Sequence, residues 1–225
     1  METILYDLDG TLVDHFTTIH RSCAHVAQVL GFAEPSYDKV RTTVGGSVPI
    51  TLGKLFGPEA VTEGVPLFED YFQSIIFEDL VVLPGASWIL QELHDRGHRQ
   101  AVFTNKNEGP ARAVVDHLGL TRWLDAVVGT GTTPYRKPQP EFTAHAVAAA
   151  RGAPGDTILI GDSPFDVQAA EAGGLPCHLV ATGSHNPQEL AEQTRGVRIH
   201  RDLFELGESL FGLERPSPHP EPTRS

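Results

Sequence analysis

The chain has 225 residues, 40% hydrophobic and 20% charged, enough to bury one good core or one core with a small second one. A formal charge of −12, with no basic run rich in aromatics, argues against a nucleic-acid surface or an anionic membrane as partner. It leaves room for a small anionic substrate in a locally cationic pocket.

The first element is already unusual. Ile4-Leu5-Tyr6 is a short apolar run bounded by Gly10, the mark of an interior strand of a parallel sheet, yet it ends in Asp7 and Asp9. Carboxylates there are costly unless something cationic meets them, or unless they only cap a turn. From residue 15 to about 80 the periodicity is helical. Phe16, Ile19, Cys23, Val26, Ala27 and Leu30 share one face, and Gly31 stops the run. A second helix carries Ile50, Leu52 and Leu55 after the loop Val44-Gly45-Gly46-Ser47. A third carries Leu67, Phe68, Tyr71, Phe72, Ile75 and Ile76.

From residue 83 helix and strand alternate: helix 86–96, strand 100–103, helix 110–118, strand 126–128, helix 141–151, strand 157–160, helix 165–172 and strand 178–180. A strand near 197–199 and a helix near 203–211 follow. Such alternation predicts an α/β fold, a Rossmann-like parallel sheet with helices on both faces. The expected organisation is a core of residues 1–14 and 83–213 and a helical cap, 15–82, inserted after the first strand. The proline-rich tail 214–225 is expected to be disordered. Because the cap springs from the strand edge that bears the aspartates, it reads as a lid over them. Cys23 and Cys177 lack any metal-ligand spacing and read as inert packing in a reducing compartment. With a first strand beginning near Thr3 and no apolar stretch of 18 residues, a cytoplasmic protein is expected.

In a parallel sheet the residues just after each strand meet at one edge, where ligands bind. Asp7 and Asp9 would be joined there by Thr104-Asn105-Lys106, by Gly161-Asp162-Ser163-Pro164-Phe165-Asp166 and by the loop Tyr135-Arg136-Lys137-Pro138. Singly, each has a plain alternative. Thr104 could be a helix N-cap, Lys137 a solvated loop lysine, Asp162 a cap of the following helix, and Asp166 an acid favoured in a first helical turn.

Together the strings DLDGTLVD, FTNK, RKP and GDSPFD, in this order, resemble the four motifs of the haloacid-dehalogenase-like phosphohydrolases. The insertion after the first motif is similar to that of members with a small α-helical cap. GTTPYRKPQP and VATGSHNP are similar to stretches of phosphoglycolate phosphatases. The resemblance implies Asp7 as nucleophile, forming an aspartyl-phosphate, and Asp9 as general acid and base. It implies Mg²⁺ held by the Asp7 carboxylate, the Asp9 carbonyl and Asp162, with Asp166 holding the metal's waters. Thr104, the Asn105 backbone and Lys137 would bind the transferring phosphoryl oxygens, and Gly10 would allow the tight turn. Within the cap, Arg41, Gly45, Gly46, Ser47 and Lys54 are the residues that could reach a small anionic substrate, with a solvent-facing arginine as the alternative for Arg41. His15 is read as a hinge or cap-facing residue.

Asp9 favours a phosphate ester over a carbon–halogen or carbon–phosphorus substrate, because an alkoxide leaving group needs a proton. A sugar phosphomutase of the capped group is the nearest rival. Such mutases tend to carry a cap histidine where this chain has Ile19, and His20 is turned by about 100° from that position. A pyrophosphatase stays open, as does a non-catalytic binding module, although the latter predicts a degraded motif and all four are intact. The oligomeric state is not legible in the sequence.

Overall fold

The computed structural model describes residues 2–216. The chain opens with β1 (Thr3–Tyr6) and β2 (Val13–Asp14), then four helices, α1 (Phe16–Leu30), α2 (Tyr37–Thr43), α3 (Val48–Phe56) and α4 (Val61–Ser74). Next come β3 (Val81–Val82), α5 (Ala86–Asp95), β4 (Arg99–Asn107), α6 (Glu108–His117), β5 (Ala126–Thr130) and α7 (Pro140–Ala149). The chain ends with β6 (Thr157–Gly161), α8 (Pro164–Gly173), β7 (Cys177–Val180), α9 (Pro187–Gln193), β8 (Arg198–His200) and α10 (Leu203–Phe211).

Six strands form one parallel sheet in the order β5-β4-β1-β6-β7-β8. Leu5 of β1 pairs with Ala101 on one side and Leu159 on the other. Alternation along the strands sends Ile4, Tyr6 and Val102 to one face and Leu5, Ala101 and Phe103 to the other. The first face packs with Ile89, Leu90 and Val114 of α5 and α6, the second with Phe142 and Ala169 of α7 and α8. Both faces are therefore covered, and β1, β6 and the Ala101–Phe103 centre of β4 read as apolar runs for that reason.

Three features were not anticipated from the sequence. Helix α2 is seven residues long and buries only Val40 and Thr43, too few to make a periodic signal; Ser36 caps it by accepting the Lys39 N–H at 3.2 Å. Strands β2 and β3 pair antiparallel, Val13 with Val82 and Asp14 with Val81, so the two crossings into and out of the helical block are tied together. Ile75 and Ile76 are buried but lie beyond the end of α4. At the other end, Leu213, the last residue expected in the core, is buried. Of the tail expected to be disordered, residues 214–216 are exposed, with the Arg215 guanidinium 4.2 Å from the Phe204 ring centre and 3.5 Å from Asp202. The rest of that tail, 217–225, lies outside the described residues.

Candidate active site

Four chain segments deliver the site to the C-terminal edge of the sheet. Asp7 follows β1, Thr104, Asn105 and Lys106 lie near the C-terminal end of β4, Asp162 follows β6, and Lys137 comes from the loop before α7. Gly10 has a φ of +89°, and a Cβ there would stand 2.7 Å from Asp162 Oδ2, so the tight turn after Asp9 requires glycine.

Lys137 is 1% exposed and its Nζ lies 2.7 Å from Asp166 Oδ1 and 3.1 Å from Asp7 Oδ1. It is thus no solvated loop residue. Asp166 also accepts the Ser163 N–H at 3.1 Å and the Ser163 hydroxyl at 2.7 Å, so it caps α8 and serves the cluster at once. Asp162 Oδ2 accepts both the backbone N–H (2.7 Å) and the hydroxyl (2.9 Å) of Ser184. Carboxylate oxygens of Asp7, Asp162 and Asp166 lie within 4.8 Å of one another.

Three buried carboxylates face one lysine. At an effective dielectric of about 20, each like-charged pair ~4 Å apart costs about 4 kcal/mol. Burial, with Asp166 and Asp9 adding to it against the pull of Lys137, raises Asp7 above the ordinary carboxylate range. Burial and the neighbouring Asp166 and Asp7 raise Asp162 further. Burial would strip Lys137 of its proton, but Asp166 and Asp7 outweigh it and hold the ammonium charged. The surplus of negative charge, in an all-oxygen donor set, fits a hard divalent cation, and these three carboxylates could hold one.

Asp9 stands in a second network. Its carboxylate lies 3.1 and 3.2 Å from Lys106 Nζ and 3.5 Å from His15 Nδ1. His15 Nε2 is 2.8 Å from the Ile76 carbonyl and donates to it, and Nδ1 stands between Asp9 and Lys106, 3.4 Å from the Lys106 Nζ. Lys106 Nζ also sits 4.4 Å from the centre of the Phe72 ring. Burial would raise Asp9, but Lys106 and His15 outweigh it and hold the carboxyl well below the usual range. Lys106 is therefore a site residue whose partner the sequence did not disclose; its place at the strand end was the available signal.

A cleft of about 610 Å³ opens between the sheet edge and the helical block, lined among others by Ile19, Gly45, Phe72, Thr104, Lys106 and Arg136. The Asn105 side chain spans it at the back. Its Nδ2 donates to the Gly45 carbonyl at 2.9 Å, and its Oδ1 accepts the Lys137 N–H at 2.8 Å. Arg41 is elsewhere: its Nε donates to the Gly183 carbonyl at 2.8 Å, and Nη2 donates to the same oxygen. Lys54 lies 5.4 Å from the Phe165 ring centre. Ser184, not singled out from the sequence, lies in the loop between β7 and α9 rather than directly at the strand end, and its place in VATGSHNP, on the same sheet edge, was the only signal.

A family model described as "Haloacid dehalogenase-like hydrolase" matches residues 4–180. The chain belongs to that family. A phosphoglycolate phosphatase of Rhodobacter capsulatus is 32% identical over 186 residues, 80% of this chain and 84% of its own length. A protein of Mycobacterium tuberculosis named tyrosine-protein kinase PtkA is 28% identical, covering 93% of this chain and 72% of its own length. In fold, the crystal structure of a predicted phosphatase from Clostridium acetobutylicum superposes with a TM-score of 0.85 at 24% identity, over 94% of this chain and 99% of that one. With its family and its motifs complete, the protein is an enzyme of phosphatase type. Among the described residues no helix is long and apolar enough to cross a membrane.

Proposed function

We propose that the protein is a Mg²⁺-dependent phosphoric monoester hydrolase acting on a small anionic organic phosphate, with 2-phosphoglycolate the leading candidate, through an aspartyl-phosphate on Asp7. The observation that carries this reading is the convergence of Asp7, Asp162, Asp166 and Lys137 beside a separately held Asp9. Mg²⁺, when bound, would supply the positive charge that lets a phosphate approach three carboxylates. Asp7 and Asp162, with the Asp9 carbonyl, are the proposed ligands, and Asp166 would orient the metal's waters.

An Asp7 carboxylate oxygen attacks phosphorus as the ester P–O bond breaks, and the departing alkoxide takes its proton from the Asp9 carboxyl. Asp9, now ionised, takes a proton from water. The hydroxide formed attacks phosphorus, the P–O bond to Asp7 breaks, and both residues return to their starting states. Thr104, the Asn105 backbone N–H and Lys137 stabilise the charge that builds on the phosphoryl oxygens. As the structure stands, Lys106 keeps Asp9 ionised, which is the wrong state for an acid. A substrate carboxylate that drew Lys106 to itself would release Asp9, and the phosphate charge would favour its protonation. That requirement favours a substrate with an anionic leaving group, and Lys106 and Arg136 both line the cleft.

The rival phosphomutase reading wants a histidine in the cleft. Ile19 lines it instead, and His20 Nε2 lies 3.0 Å from the Pro35 carbonyl. We also place the protein in the cytoplasm. Two unpaired cysteines support this, since free thiols persist in a reducing compartment, and burial keeps both protonated and inert.

The test is phosphate release from a panel of phosphomonoesters, 2-phosphoglycolate and sugar phosphates included, with Mg²⁺ present. A marked preference for 2-phosphoglycolate, abolished in Asp7→Asn, supports the reading. Weak activity spread over many esters removes the substrate assignment, and silence across the panel removes the function.

A further inference from the structure

The peptide unit between Gly183 and Ser184 is gripped from both ends. Its carbonyl oxygen accepts two N–H groups of the Arg41 guanidinium, which arrives from the end of α2 in the helical block. Its N–H, belonging to Ser184, donates to Asp162 Oδ2 at 2.7 Å, and the Ser184 hydroxyl donates to the same oxygen at 2.9 Å. Thr182 Oγ1 donates to the Gly10 carbonyl at 2.8 Å, so residues 182–184 also rest on the turn that follows Asp9. The approach is close enough that a Cβ on Gly183 would overlap the Asp162 carboxylate.

From this geometry we propose that Arg41 is a positioning residue for the metal site, acting through the 183–184 peptide to orient Asp162. The inference rests on the reading of Asp162 as a metal ligand. A charged donor pair on a carbonyl fixes the plane of its peptide and polarises the N–H at the other end, which strengthens that N–H as a donor. Asp162 is thereby held with Oδ2 satisfied by protein, while Oδ1, which has only the long 3.5 Å contact from the Thr11 hydroxyl, is left for the cluster with Asp7 and Asp166. Because Arg41 belongs to the helical block, the block closes onto the metal site as well as onto the substrate cleft. A second tie, the Asn105 amide between Gly45 and Lys137, does the same for the phosphoryl-binding lysine. This role differs from a direct contact with substrate, which the position of Arg41 on Gly183 does not serve.

The two roles separate in a Mg²⁺ titration followed by the thermal unfolding midpoint without substrate, alongside steady-state kinetics at saturating Mg²⁺. Arg41→Met keeps the apolar stem and removes the donors. We expect its Mg²⁺ affinity to fall roughly tenfold to a hundredfold, with KM for 2-phosphoglycolate at saturating Mg²⁺ changed by less than about twofold. Arg41→Lys, which keeps one charged donor, should recover part of the affinity and serves if the methionine variant does not fold. Ser184→Ala should weaken Mg²⁺ as well, and the double variant Arg41→Met with Ser184→Ala should lose less than the product of the two single losses, because both act on one carboxylate oxygen. Unchanged Mg²⁺ binding in Arg41→Met and Arg41→Lys, where the wild type binds Mg²⁺, overturns the positioning role alone. A wild-type protein with no Mg²⁺-dependent shift overturns the metal-ligand reading of Asp162, and this inference with it.

Discussion

Asp9 and Lys106 face each other at 3.1 Å across a pocket only about a tenth exposed, and this pair decides how the two chemical steps are divided. A general acid contributes roughly 10² to 10⁴ in rate, and only where the leaving group needs a proton. Asp9→Asn should therefore lose about that factor on 2-phosphoglycolate and far less on an aryl phosphate whose phenolate leaves unaided. Equal losses on both in kcat/KM, which reports the transfer to Asp7 and not the later hydrolysis in which Asp9 also serves as base, would remove the acid role. Lys106→Met tests the neighbouring claim. It should raise KM about tenfold for a carboxylated ester and leave an ester with a neutral leaving group nearly unchanged, because only the former has an anion for Lys106 to meet. Of the residues expected at this edge, Asp7 and Asp162 were legible because each directly follows a strand, Asp166 because it lies in the first turn of a helix, and Thr104 and Lys137 because their strings FTNK and RKP stand in the expected motif order. Lys106 and His15 were not assigned partners, because Asp9, His15 and Lys106 meet only through folding across 91 residues of chain.

At the scale of elements, the loop after β7 and the helical block carry the precision of the site. Gly183→Ala would drive a methyl into the Asp162 carboxylate, so Mg²⁺ affinity should fall sharply while the denaturation midpoint of the metal-free protein moves little. A large loss of metal-free stability would show that the loop yields elsewhere. Leu52→Ala in α3 is the opposite case. Leu52 is fully buried in the core that unites the helical block, and its truncation should cost about 2–5 kcal/mol in urea unfolding with Mg²⁺ affinity unchanged. Helix α2, which supplies Arg41, was missed because seven residues with two buried side chains carry almost no 3.6-residue pattern. Its N-cap serine was visible, but a lone serine marks many turns.

Across the whole molecule the acidic cluster links stability to both pH and metal. In chelator, Asp7 and Asp162, pushed up to about 6 and about 8, keep protons that the unfolded chain has released at its ordinary carboxylate value. The folded state then binds more protons than the unfolded one, and stability falls as pH rises through this range. His178, His185 and His200 are lowered by burial from 6.5 and act in the opposite sense below that value, where the unfolded chain takes up their protons first. The clean window is therefore from about pH 6.5 to 8, where Asp162 should make the metal-free protein less stable with each step in pH. Asp162→Asn should flatten that slope. Saturating Mg²⁺ should flatten it in the wild type too, and add about 2.7 kcal/mol at a hundredfold excess over Kd. A chelated protein that gains stability between these pH values would show that Asp162 is ionised from the start.

The sequence by itself determined the α/β class, the family and the set of residues brought to the sheet edge. Period, strand-end position and motif order are local properties, and a parallel sheet sends every strand end to one side. Tertiary structure alone decided which partner each of those residues meets. Arg41 went to the Gly183 carbonyl, Asn105 to both Gly45 and Lys137, and Lys106 to Asp9, His15 and Phe72. Each of these pairings joins the helical block or a distant loop to the core. Such contacts depend on how surfaces distant in the chain come together, and the spacing of residues along one chain does not encode that.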